Sequence, residues 1–231
     1  MIWGVARVPP TRTESAQNAA EKLATLPGQP RGFKTKLPPM PILPKQRDVF
    51  PDSLLEAAES DPLGKAAAAA DAHWLAFYTL ARREKDLMRK LEAASVPFYS
   101  PLIRRRLHTA GGRVRHSYVP LFPGYVFAPV DDEQRREALA TNTVARWLSI
   151  ADERMLVDDL RAIKLLIDSE KPLTPEARIQ PGQFVRVKSG PLRGVEGIVA
   201  KRKGGQRLIV AVRFLNQGAS IELEDVDLER L

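Results

Sequence analysis

The chain has 231 residues, 44% of them hydrophobic and 28% charged, the composition of a globular protein with room for one or two domains. It contains no cysteine, which excludes a disulfide framework and a thiolate metal site, and no apolar run near the ~18 residues that span a bilayer. A net charge of +8 favours polyanionic partners such as nucleic acid.

Residues 1–70 hold ten of the nineteen prolines and only three aromatics, Trp3, Phe33 and Phe50. Their charge is nearly balanced, with nine basic and seven acidic side chains. Proline interrupts helix and strand alike, and so little apolar surface cannot offset the entropy of ordering. This segment is expected to be a disordered, Pro-rich extension, with transient helix at 54–58 and 66–70. Its start lacks the basic and apolar regions of a secretory signal, so the cytoplasm is the expected compartment.

The pattern changes at His73. Residues 74–80 (WLAFYTL) read as a strand by length and aromatic content. Residues 83–95 place Leu87, Leu91 and Ala94 at helical spacing, and Pro97 ends that helix. Residues 98–107 and 113–119 read as two strands joined at Thr109-Ala110-Gly111-Gly112, a hairpin turn signal. Residues 124–130 give the next strand. Asp131-Asp132 cap a helix running to about Thr141, residues 144–150 form a strand, and Leu156, Leu160, Ile163 and Ile167 mark a third helix. The order β-α-β-β-β-α-β-α describes an α/β sandwich over 71–170, with helices flanking a mainly antiparallel sheet. Residues 171–180, with Pro172 and Pro175, are expected to be an extended linker. Beyond Gly182 the period becomes two. Short strands near 184–187, 197–200, 207–214 and 221–223, divided by glycines, suggest a small SH3-like β-barrel over 181–231. The fold class is therefore α+β.

No catalytic constellation is present in this pattern. His73, His108 and His116 lack the close spacing of metal ligands, and there is no glycine-rich phosphate loop. The acidic pairs Asp131-Asp132 and Asp158-Asp159 both read as helix starts, where carboxylates accept orphan N–H groups. A non-enzyme without cofactor or metal is expected.

The most distinctive stretch is Pro120-Leu121-Phe122-Pro123-Gly124-Tyr125-Val126-Phe127. Proline fixes φ and glycine permits conformations other residues avoid, so the chain turns sharply among three aromatics. The stretch resembles the corresponding segment of the NusG/RfaH family of transcription elongation factors. The final fifty residues, with Gly190, Gly194 and Gly197 at turn spacings between apolar strands, are similar to a KOW domain. The resemblance covers residues 73–231 and implies an N-terminal NusG-like (NGN) domain followed by a KOW domain.

The resemblance also implies a monomeric, non-membrane factor that rides on RNA polymerase. Tyr78, Phe122, Tyr125, Phe127 and Trp147 match the apolar surface that packs on the clamp helices. Exposed aromatics suit such a role, because they dominate interface hot spots. Along the strand Tyr125 and Phe127 share a face, opposite Val126. Arg104, Arg105, Arg106, Arg113 and Arg115, with His108 and His116, crowd one hairpin with no acid among residues 101–120. Arginine offers a planar fork of donors to phosphate, and the resemblance puts this hairpin within reach of non-template DNA. Lys201-Arg202-Lys203 is a second basic run. The KOW domain is expected to recruit ribosomal protein S10 or the terminator Rho, and to keep a barrel form without refolding. A ribosome- or RNA-binding KOW protein acting in translation is the alternative, and a general factor and an operon-specific paralogue both fit.

Overall fold

The central strand of the first sheet is apolar from Trp74 to Phe77 because both of its faces are covered there. In the computed structural model, which describes residues 45–56, 63, 71–108, 114–178, 182–202, 205–223 and 228–231, that strand is β2 (His73–Thr79). It lies between β6 (Tyr125–Val130) and β7 (Val144–Ser149), antiparallel to both. β1 (Val49–Phe50) and β3 (Phe98–Tyr99) complete a five-stranded sheet of order β1-β3-β6-β2-β7.

On one face, α1 (Glu84–Ala93) buries Leu87, Met88 and Leu91 against Leu75, Phe77, Val126 and Ala128. Its end is a Schellman motif: Val96 N donates to Leu91 O at 2.8 Å and Ser95 N to Glu92 O at 3.0 Å, with Ser95 at φ +57°. α2 (Asp132–Ala140) starts with a capping box, in which Asp131 accepts from Gln134 N at 2.8 Å and Gln134 returns to Asp131 N. The other face meets α3 (Glu153–Asp168), whose Leu156, Leu160 and Ile163 share a core with Trp74, Ala76, Tyr99 and Phe127.

Three local expectations are corrected here. Residues 45–56, read as part of a disordered extension, include β1 and a 3-10 turn, Asp52–Leu55, whose Leu54 and Leu55 insert into the α3-side core. Burying each contributes about 1.5–3 kcal/mol, enough to hold a short segment. The Leu63 carbonyl also accepts from Trp74 Nε1 at 2.8 Å. The remainder of 1–70 lies outside the described residues. The strand expected over 98–107 is two, β3 and β4 (Leu102–His108), because Pro101 lacks an N–H to continue the ladder. β4 pairs with β5 (Val114–Pro120) as a separate hairpin whose turn residues, 109–113, lie outside the described set. Asp158 and Asp159 sit within α3 rather than at its start. Asp152 is the cap, accepting from Met155 N at 2.8 Å.

The C-terminal residues form a six-stranded antiparallel sheet of order β13-β9-β10-β11-β12-β8. Its members are β8 (Thr174–Glu176), β9 (Gln183–Val187), β10 (Glu196–Arg202), β11 (Gly205–Val212), β12 (Gln217–Glu222) and β13 (Leu228–Arg230). No ladder joins β13 to β8 among the described residues. β8 falls in the stretch expected to be a linker. It pairs with β12 through Thr174↔Ser220 and Glu176↔Gly218, and Pro175 is tolerated because β8 is an edge. The described residues thus give a mixed α+β chain with antiparallel sheets and three α-helices.

Candidate docking face and basic hairpin

The bend before β6 is a type II turn. Proline sits at its second position, Gly124 at its third has φ +86°, and Tyr125 N donates to Phe122 O at 3.1 Å. Gly124 is also tightly packed, since a Cβ there would stand 3.0 Å from Tyr78 Cε2. The turn is clamped from two sides. Buried Glu84 accepts from Gly124 N at 2.7 Å, and Thr79 N donates to Gly124 O at 2.8 Å. α1 and β2 therefore fix where Tyr125 begins.

Alternation along the strands then sorts the aromatics. Tyr125 lies opposite Tyr78, and Tyr78 opposite Arg146, on one face of the sheet. The two tyrosine rings meet edge to face at 5.1 Å, and the Arg146 guanidinium lies 4.9 Å from the Tyr78 ring centre. Both tyrosines are half-buried and Arg146 is exposed. Together they form a small aromatic ledge at the open end of that face.

Phe122 and Phe127, expected on the same docking surface, are core residues. They are 1% and 0% exposed and pack edge to face at 6.4 Å. Tyr125 and Phe127 do share a face, but Phe127 lies inside the cluster that holds α3, Leu54 and Leu55, whereas Tyr125 packs against its edge and stays partly exposed. Trp147 remains 39% exposed but belongs to the opposite face, paired with Phe77, where Arg135 lies 4.8 Å from its ring. Of the five expected residues the structure thus unites Tyr78 with Tyr125. It also adds Arg146, which the sequence reading missed because nothing local marks an arginine as the cross-strand partner of a tyrosine.

The hairpin presents Arg104, Arg105 and Arg106 to solvent. Tyr118 is opposite Arg104, His116 opposite Arg106, and Arg115 opposite Leu107 in the register. Arg113 lies outside the described residues. Lys85 Nζ donates to Tyr118 O at 2.6 Å and so ties the hairpin to α1. At the hairpin's base, Leu121 N donates to Pro101 O and Ser100 Oγ to Tyr125 O at 3.1 Å, which joins it to the strand carrying the ledge. In the C-terminal sheet, Gly190 and Gly194 have φ of +79° and +86°, and a Cβ on Gly197 would strike Ile209 O at 2.5 Å. Lys201 is exposed, and Lys203 lies outside the described residues.

Asp159 and Arg213 form a multiply hydrogen-bonded ion pair. Asp159 Oδ1 accepts from Arg213 Nη2 at 2.7 Å and Nε at 3.0 Å, and Oδ2 accepts from Arg213 backbone N at 2.8 Å. Burial pushes the Asp159 carboxyl up from its ordinary value while the guanidinium pulls it down, and the carboxylate in turn raises Arg213. Among the described residues no group of three or more His, Asp or Glu could hold a metal ion. None of their helices is long and apolar enough to cross a membrane.

The stretch is thus an antiparallel sheet with helices on both faces that carries the Tyr78–Tyr125 pair and an arginine-bearing hairpin. Residues 72–166 match the family model described as transcription termination factor nusG, so this stretch is a NusG-like domain. The match links the domain to transcription termination and elongation, the work of a family of factors rather than enzymes. A search of curated proteins returned no match.

Proposed function

We propose that the protein is a transcription elongation and antitermination factor that docks on the clamp helices of RNA polymerase through Tyr78, Tyr125 and Arg146. The observation that carries this reading is the partly exposed Tyr78–Tyr125 pair beside the clamped Pro-Gly turn, within the stretch matched to nusG. A half-exposed aromatic pair next to a cation can seat apolar and acidic side chains of a partner helix. Docking across the polymerase cleft disfavours clamp opening and so modulates pausing and termination. The exposed hairpin arginines Arg104, Arg105 and Arg106 lie along non-template DNA, where phosphate contacts position without reading sequence. The C-terminal sheet serves as the KOW domain and recruits ribosomal protein S10 or Rho, with the Gly190 and Gly194 turns shaping its rim.

Co-purification with RNA polymerase tests the reading. The wild-type chain is expected to bind polymerase, and Tyr78→Ala with Tyr125→Ala to lose it. Absence of wild-type binding refutes the proposal. A translational role led by the KOW domain finds support in Phe184 of β9, 57% exposed, and in Lys188 and Arg193, both exposed in the segment that follows β9. On that reading Phe184→Ala abolishes co-sedimentation with ribosomes while the ledge variants leave it intact.

A further inference from the structure

The C-terminal sheet is joined to the NusG-like domain by more than the chain between them. One continuous apolar cluster holds Trp74 and Phe127 of the first sheet, Leu156, Leu160 and Ile163 of α3, and Val185, Leu208 and Val210 of the second. The covalent connection is short, because β8 already belongs to the second sheet and leaves residues 169–173 between it and α3. Arg207 reinforces that attachment, with its Nη2 donating to Thr174 Oγ1 at 2.9 Å and to Ser220 O at 3.0 Å.

Asp159 stands within the buried stripe of α3 and is 7% exposed. A carboxylate in that position is costly unless its lone pairs are satisfied. Both oxygens are satisfied by one residue of the other sheet: Arg213, which opens the 3-10 turn Arg213–Leu215 directly after β11, gives its backbone N–H and two side-chain nitrogens. These contacts exist only while the sheet is seated on α3.

We infer that Asp159 and Arg213 form a latch holding the C-terminal sheet against α3, so that the two sheets move as one body rather than as domains on a tether. This goes beyond the docking proposal and does not depend on it. It constrains recruitment, however. A partner of the C-terminal sheet meets either the surface left open beside α3 or a face it must first uncover by opening the latch.

The test is 15N relaxation on the full chain, with tumbling times read separately for residues 73–168 and 183–231. The wild type is expected to give one shared value. Arg213→Ala removes a side chain that is 57% exposed, so little packing is lost, but it leaves the Asp159 carboxylate buried without its guanidinium. The two regions should then tumble separately, with the C-terminal value falling well below that of residues 73–168, because tumbling time scales with the size of the rigid body. Asp159→Asn keeps the side-chain volume, should loosen the sheet in the same direction, and decides the matter if Arg213→Ala does not fold. Two distinct tumbling times in the wild type overturn the inference. A shared, unchanged value in a folded Arg213→Ala or Asp159→Asn variant overturns the assignment of the latch to this pair.

Discussion

Gly124→Ala is expected to destabilise the protein by an amount that the turn itself sets. At φ +86° an L side chain pushes its Cβ against the backbone, a penalty of about 1–2 kcal/mol. The reduced freedom of alanine in the unfolded chain returns less than that, about 0.4–1 kcal/mol at a compatible site and no net gain where φ is positive. The new methyl also lies 3.0 Å from Tyr78 Cε2, so the ring must give by a few tenths of an ångström. That movement disturbs the edge-to-face contact with Tyr125. For a domain of this size 1 kcal/mol shifts Tm by about 2–4 °C, so thermal unfolding should show a loss of about 2–8 °C. Near-ultraviolet circular dichroism should register the moved tyrosines in the same sample. A folded variant within ~0.3 kcal/mol of wild type and an unaltered tyrosine signal would refute the left-handed turn and its contact with Tyr78.

Other expected outcomes follow from neighbouring contacts. Glu84→Ala leaves the Gly124 N–H buried without its acceptor and should cost about 1–3 kcal/mol in urea unfolding, whereas Glu84→Gln, which keeps an acceptor oxygen, should cost clearly less. Ser95→Gly should stabilise by about 0.5–1 kcal/mol, since glycine accepts φ +57° at the end of α1 without a Cβ penalty. Asp131→Ala removes half of a capping box and should cost about 0.5–2 kcal/mol. The Asp159 carboxyl is raised above its ordinary 3.8, chiefly by burial.

Much of the NusG-like domain is legible in the sequence because its signals are local. The apolar run of β2, the spacing of Leu87 and Leu91, Asp131 before α2 and the Pro-Gly pair before β6 each specify their own element within a few residues. The ledge is only half legible. Period-two alternation correctly groups Tyr125 with Phe127, but what covers Phe127 comes from residues 54–55 and 156–163, distant in sequence. Leu54 and Leu55 stand in a proline-rich stretch whose composition argues against order, and a two-residue strand such as β1 is too short to show a period. Asp159 shows the same limit. Locally it is one of two adjacent acids, and its role depends on Arg213, 54 residues away. Pro172 and Pro175 suggest a linker for the same reason, since an edge strand tolerates proline and only the pairing with β12 reveals it.

Equilibrium binding to purified RNA polymerase, with wild type beside Arg146→Glu and the Tyr78→Ala, Tyr125→Ala double variant, tests the docking ledge most directly. Wild type should bind. The double variant should weaken binding about thirtyfold or more, as the loss of a ~2 kcal/mol aromatic hot spot implies, and Arg146→Glu should weaken it while leaving Tm within a few degrees of wild type. Wild type that fails to bind, or ledge variants that bind as tightly as wild type, would contradict it.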